Sequence, residues 1–265
     1  MKCLFWNVGN NKINSIIEEL VINEDCQLFS LAEYDDNPME LLKELGKKGY
    51  DFYHVPQIGC KRIEIFTTCK PGRIEHLSDT SHYTIKRIPH NDLGYINFVF
   101  VHFPSKLHSN DFDHQEESRL LKIEIEKVET EIDSEQTVVI GDFNMNPFEV
   151  GMIAANALHS FPTKFEATKR SRTINGRKYK MFYNPMWSLM GDAKTPLGTY
   201  HYSSSHHISF YWNMFDQVIV RPSLCDHINP NEIKIITNVG EIELLKNDKP
   251  SKSISDHLPL LFKLG

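Results

Sequence analysis

No stretch of this chain approaches the roughly 20 consecutive apolar residues that span a bilayer, so no membrane partner is expected. The opening residues, Met1-Lys2-Cys3-Leu4-Phe5-Trp6-Asn7, reach a polar Asn too soon for the apolar centre of a secretion signal. A basic excess is also missing. The 29 Lys and Arg stand against 35 Asp and Glu, a formal net charge of −6. General electrostatics therefore give no support for a nucleic-acid binder, although a metal site can supply positive charge locally. The five cysteines, Cys3, Cys26, Cys60, Cys69 and Cys225, are odd in number, and no two form a C-x-x-C pair. That argues against a disulfide frame or a zinc site and for reduced thiols in a cytoplasmic protein. Repeats, low-complexity tracts and Gly/Ser linkers are lacking too. One domain covering residues 1–265, acting as a monomer, is the expected organisation.

What is present is a set of buried-type runs. Leu4, Phe5, Trp6 and Val8 read as a first strand. Ile13, Ile16, Ile17, Leu20 and Val21 recur at helical spacing, and Gln27 to Ala32 is a second apolar run. Asn37-Pro38-Met39-Glu40 carries a helix start: a capping Asn, Pro at the first helical position and Glu to close a capping box. Asn146-Pro147-Phe148-Glu149 repeats that signature. Arg62 to Thr68, Tyr95 to Phe103, Thr137 to Ile140, Met214 to Val220 and Leu258 to Phe262 read as strands, the second apolar enough to be covered on both faces. Leu121, Ile125, Val128 and Ile132 mark a long amphipathic helix. Alternating strands and helices imply a layered α/β fold with a mixed sheet.

Polar residues fall where these strands end: Asn7, Glu33, His102, Asp142 with Asn144, and Asp256 with His257. Ligands of layered α/β proteins collect beyond strand ends. The residue types suit a divalent metal and phosphoryl chemistry. Mg²⁺ takes oxygen ligands, usually one or two carboxylates with water and phosphate; Glu33 is a natural ligand, with Asp256, Asn7 or Asp142 beside it. Asp142 and Asn144 could orient or deprotonate a water. His257 and His102 could bind phosphate oxygens or shuttle protons, and Asp216 could hold His257 in one tautomer. Each residue alone reads equally as a turn, cap or core residue. Their joint order is what carries the inference.

In these residues the chain resembles the endonuclease/exonuclease/phosphatase superfamily, from Phe5-Trp6-Asn7-Val8 to Ser255-Asp256-His257-Leu258-Pro259-Leu260. Gly141-Asp142-Phe143-Asn144 is the most specific segment, and Ser255-Asp256-His257 the second. Leu31-Ala32-Glu33 and Phe215-Asp216-Gln217-Val218 fit the strand ends that supply a metal-ligand Glu and an Asp for the last His. The resemblance implies a four-layer α/β sandwich, two mixed β-sheets packed face to face with helices outside. It implies Mg²⁺ or Mn²⁺ bound mainly by Glu33, with Asn7 and Asp256 close by. Two assignments of the base compete, Asp142 or the Asp216–His257 pair. His102 stands where exonuclease III-type members tend to have Tyr, and Met214 where many relatives have Arg near that Asp. Both departures weaken any transfer from the DNA-repair branch.

The leading expectation is a nuclease-like phosphodiesterase acting on DNA or RNA. Beyond the motifs it leans on a basic segment, with Arg170, Arg172, Arg177 and Lys178 as candidate substrate contacts and many aromatics following. That segment, turning at Asn175-Gly176, reads either as a loop gripping a polyanion or as a solvated surface hairpin. The alternative is a phosphatase or phosphodiesterase on a small-molecule or lipid substrate, which the acidic net charge and His102 favour. A catalytically silent binding protein is disfavoured because no expected position is lost.

Overall fold

Strand alternation settles which side chains face which layer. The computed structural model describes residues 1–107, 109–191, 195–205 and 207–265. Its first large sheet runs in the order Lys234–Ile235, Leu260–Lys263, Lys2–Asn7, Leu28–Ala32, Ile63–Thr67, Tyr53–Val55. Its second runs Glu75–Asp79, Tyr83–His90, Gly94–His102, Thr137–Asp142, Asp216–Val220, Phe182–Tyr183, Ser160–Phe161. Both are mixed. Lys2–Asn7 lies parallel to Leu28–Ala32 and antiparallel to Leu260–Lys263. Thr137–Asp142 lies parallel to Gly94–His102 and antiparallel to Asp216–Val220.

Successive strand residues point to opposite faces, and here they feed different cores. Phe5, Ile63 and Ile65 from the first sheet meet Phe98, Phe100, Val138, Ile140 and Val218 from the second in one buried cluster. The intervening Leu4 and Trp6 point outward onto Ile17, Leu20 and Val21 of the helix Asn14–Asn23 and Leu41 and Leu45 of the helix Pro38–Lys47. Val99, Val101 and Val139 point the other way, onto Leu121, Ile125 and Val128 of the helix Asp111–Glu131. The result is a four-layer α/β sandwich, helix–sheet–sheet–helix. Both faces of the central strands are covered, which is why their sequences run nearly continuously apolar.

Asn37 caps its helix as expected, its side chain accepting from the Met39 and Glu40 amides. Glu40 does not close a box, because Asp36 already accepts the Asn37 N–H, at 2.8 Å. The second Asn-Pro signature is a correction: no helix starts at Pro147. Asn146 instead accepts from the Met214 amide at 2.9 Å and donates to Asn213 Oδ1 at 2.9 Å, so its side chain is spent on a distant segment. Only a single turn, Val150–Ile153, follows. All five cysteines are free. No helix among the described residues is long and apolar enough to cross a membrane.

Candidate active site

Register brings the first three polar residues together. His102 pairs with Asp142, and Asp142 with Asp216, so three neighbouring strands of the second sheet end in titratable groups at the same level. A Cβ on Gly141 would lie 1.9 Å from the Val101 carbonyl oxygen. The strand carrying Asp142 therefore approaches its neighbour this closely only with glycine at that position. From the first sheet come Asn7, the last residue of its strand, and Glu33, just beyond Ala32. Glu33 has φ +50° and Asn144 φ +50°, left-handed conformations that non-glycine residues adopt rarely and that cluster at functional sites.

The C-terminal motif is pinned to the first strand. Ser255 Oγ donates to the Asn7 carbonyl at 2.6 Å and accepts the His257 amide at 3.0 Å. Trp6 Nε1 donates to the His257 carbonyl at 2.9 Å. His257, only 7% exposed, then presents Nδ1 to Asp216 Oδ2 at 2.8 Å and Nε2 to Asp142 Oδ2 at 3.9 Å.

Asp142 is fully buried; its Oδ1 accepts the Asn144 amide at 2.8 Å and its Oδ2 accepts Asn7 Nδ2 at 3.1 Å. Asn144 Nδ2 donates to the Phe103 carbonyl at 2.9 Å, which fixes the amide plane beside Asp142. Glu33 receives Asn7 Nδ2 at 3.4 Å on Oε1 and Asn10 Nδ2 at 3.1 Å on Oε2, and its Oε1 lies 3.3 Å from His102 Nε2. His102 is 5% exposed and stands behind Glu33. Asn7 thus bridges two carboxylates, while its own Oδ1 accepts the Gly9 amide at 3.1 Å.

These contacts set the protonation states. The hydrogen bond from His102 holds the Glu33 carboxyl below its ordinary range, against the effect of partial burial. Burial raises the Asp142 carboxyl. Burial alone would lower His257, but the Asp216 and Asp142 carboxylates outweigh it and push the imidazole up to about 10.

Asn7, Glu33, Asp142, Asn144, Asp256 and His257 all line one cavity of about 420 Å³. His102 and Asp216 support it from behind. Of the rest of the lining, the sequence pointed to the aromatics Tyr200, Tyr202 and Phe210, part of the run that follows the basic segment, but not to the polar residues. Lys106 reaches it and is ion-paired with Glu149. Asn213 is fastened there by Asn146, and Tyr200 packs its ring 4.6 Å from that of His257. Asn146 had a local signal, but it pointed to a helix cap.

The basic segment lies elsewhere. It forms a hairpin, Ser171–Ile174 with Arg177–Lys180, turning at Asn175-Gly176 with φ of +49° and +76°. Arg170, Arg172, Arg177 and Lys178 are exposed and none lines the cavity. Lys180 is anchored to Glu135 at 2.7 Å, just before Thr137. At about 3.3 Å per residue, that end of the strand lies about 17 Å from Asp142. The structure brings every strand-end candidate together and leaves this segment out.

Two donor sets could attract a cation. Asp142, Asp216 and His257 place one ligand atom each within 4.8 Å of one another. His257 Nδ1 already has a hydrogen-bond partner in that set, and the arrangement is that of an imidazole oriented by one carboxylate and facing another. Glu33 and Asp256 offer carboxylates to the cavity from the two motifs on either side of Asn7, an all-oxygen set that suits a hard cation.

No protein-family model matches the sequence, and no curated protein matches it. Solved structures do match in fold. An endonuclease/exonuclease/phosphatase family protein from Bacteroides thetaiotaomicron is 14% identical, with a TM-score of 0.59 over 100% of this chain and 94% of that one. An AP endonuclease from Archaeoglobus fulgidus is 13% identical, with a TM-score of 0.57 over 100% and 99%. The 3′ phosphatase NExo from Neisseria, bound to product DNA hairpin, is 15% identical, with a TM-score of 0.55 over 100% and 99%. The chain therefore has the endonuclease/exonuclease/phosphatase fold.

Proposed function

We propose that this protein is a divalent-metal-dependent hydrolase of phosphate esters, a nuclease-like phosphodiesterase acting on DNA or RNA. The observation that carries the reading is Asp142. It is buried between the Asp216–His257 pair and the Glu33–His102 pair, with one carboxylate oxygen, Oδ2, 3.9 Å from Nε2 of both imidazoles. An AP endonuclease and a 3′ phosphatase bound to product DNA share the fold, which supports a phosphate ester of nucleic acid as the substrate.

Glu33 and Asp256 would hold Mg²⁺ or Mn²⁺, with Asn7 beside them. When bound, the cation supplies Lewis-acid polarisation of a phosphoryl oxygen. The chain's own groups do the rest. Asp142 is the base for the water: burial raises its carboxyl, the direction that strengthens a general base. His257, raised to about 10, is charged at that pH, so it donates from Nε2 to a phosphoryl oxygen and does not take a proton. Asp216 fixes its tautomer and orientation. Asn144 orients the water with the amide oxygen left free by its bond to Phe103. His102 keeps Glu33 ionised and aimed. Lys106 is a charge at the cavity mouth for the leaving strand.

Hydrolysis of single- and double-stranded DNA, RNA and inositol phosphates should be measured in parallel with Mg²⁺, Mn²⁺ and chelator. Metal-dependent cleavage of a polynucleotide is expected. Turnover of inositol phosphates alone would move the assignment to a small-molecule phosphatase, and turnover unaffected by chelator would overturn the metal assignment.

A further inference from the structure

A second cavity, of about 520 Å³, shares the walls Tyr200, Tyr202 and Asp256 with the first. Its remaining lining includes Lys246, Lys249, Lys252, His201, Ser251 and Ser253. In a chain of net charge −6 this is a local concentration of cations. Several lysines elsewhere find carboxylates, among them Lys48 with Glu18, Lys106 with Glu149, Lys169 with Glu166 and Lys180 with Glu135. Among the described residues the three in this cavity have no such partner. The one acid in the lining is Asp256.

The backbone forces two of these charges together. Leu245–Lys246 and Lys249–Pro250 form a minimal hairpin in which Lys246 pairs directly with Lys249. The turn residues Asn247 and Asp248 both have positive φ, +53° and +55°, as a tight type I′ turn requires. Directly opposed residues have Cβ atoms about 5 Å apart, and like charges there are destabilising. Lys252 adds a third charge to the lining. Ser251 Oγ and Ser253 Oγ lie 3.0 Å apart and present hydroxyls to the same space. Three cations and two hydroxyls around an open cavity are complementary to a phosphate dianion.

We propose that this cavity is an anion subsite that takes a second phosphate group of the substrate, next to the ester held at Asp142. It rests on the phosphodiesterase reading above and narrows it. The substrate carries at least two phosphates, as a polynucleotide backbone or a polyphosphorylated small molecule does. Tyr200 and Tyr202, stacked at 6.5 Å, form the partition between the two phosphate positions.

The test compares substrate pairs that differ by one phosphate: a dinucleotide with and without a 5′-phosphate, and an inositol bisphosphate against a monophosphate. For each, kcat/KM is measured with the wild type, with K246A/K249A/K252A, and with R177A/K178A as a charge control at the far end of the sheet. The wild type should prefer the extra phosphate in one pair, and that pair identifies the source. The triple variant should lose the preference about tenfold or more, with a weaker salt dependence, while the control keeps it. A preference retained by the triple variant, lost equally in the control, or absent from both pairs in the wild type overturns the subsite. Binding of the 5′-phosphorylated dinucleotide by the Asp142→Asn protein provides a readout without turnover. If no ester is hydrolysed but the triple change still weakens that binding, the phosphodiesterase reading fails and the subsite stands.

Discussion

The strands that carry Asp142 and Asp216 at one end are locked at the other by a buried ion pair, and that clamp can be cut without touching the site. Arg221 Nε and Nη2 donate to the two oxygens of Glu129 at 2.7 and 3.0 Å. Thr137 Oγ1 donates to Glu129 at 2.7 Å, Arg221 Nη1 to the Met181 carbonyl at 3.1 Å, and the guanidinium lies 4.0 Å from the Phe182 ring centroid. Arg221 is 1% and Glu129 2% exposed. Glu129→Leu leaves a guanidinium in the core with one carbonyl, a ring face and the half-buried Glu126 carboxylate at 3.7 Å, and leaves the Thr137 hydroxyl without its acceptor. Removing one partner of such a pair costs about 3–5 kcal/mol. For a chain of this size that is a fall in Tm on the order of 10 °C. Urea unfolding followed by tryptophan fluorescence reads it directly, since Trp6 is fully buried. E129L/R221M, which replaces both charges by apolar groups, should recover most of the loss. The kcat of the folded protein at low temperature should not change in either variant, because Thr137, the strand residue bonded to Glu129, is about 17 Å from Asp142 along the strand. A cost below about 1 kcal/mol, or a double variant worse than the sum of the singles, would refute the reasoning.

Further predictions concern the site and its pH behaviour. Asp216→Asn keeps the hydrogen-bond geometry but removes the nearest charge from His257, so kcat should fall by about 10² to 10⁴. In the same variant the His257 ring, followed by NMR, should titrate well below its wild-type value of about 10. Because that folded value is raised, the stabilisation it brings is complete below pH 6.5 and is lost as pH rises toward 10. Asp216→Asn should flatten this alkaline loss; an unchanged slope would remove Asp216 as its cause. His159 behaves oppositely. Burial lowers it to about 4, so the unfolded chain takes up a proton first and stability falls as pH drops from 6.5 to about 4. His159→Gln should shrink that limb in acid denaturation, leaving the smaller part due to His76, His82 and His201, which burial also lowers.

The strand-end residues were legible because a buried apolar run fixes both the strand and the point where it must stop. Glu33, Asp142 and the Asp256–His257 pair are polar immediately beyond or before such runs, and register then does the assembly. What pins the C-terminal motif to the first strand was not legible. The Trp6–His257 and Ser255–Asn7 bonds connect residues some 250 positions apart and have no local signature. Asn146 misled because a capping Asn and a tethering Asn look alike until a distant amide, that of Met214, takes the oxygen. The basic hairpin was recognisable as a hairpin from Asn175-Gly176, but composition says nothing about which end of a sheet a loop occupies. Lys246, Lys249 and Lys252 went unnoticed for the reverse reason: spread over seven positions among polar residues, they become a cluster only when the turn folds.

The central claim is that Asp142 is the reacting base of a metal-dependent phosphodiesterase. The direct measurement is hydrolysis of an aryl phosphodiester by the wild type and by Asp142→Asn, each with Mg²⁺ or Mn²⁺ and each with chelator. The account predicts metal-dependent turnover by the wild type and a loss of at least about 10²-fold in a folded Asp142→Asn protein. Equal rates for the two proteins would contradict it.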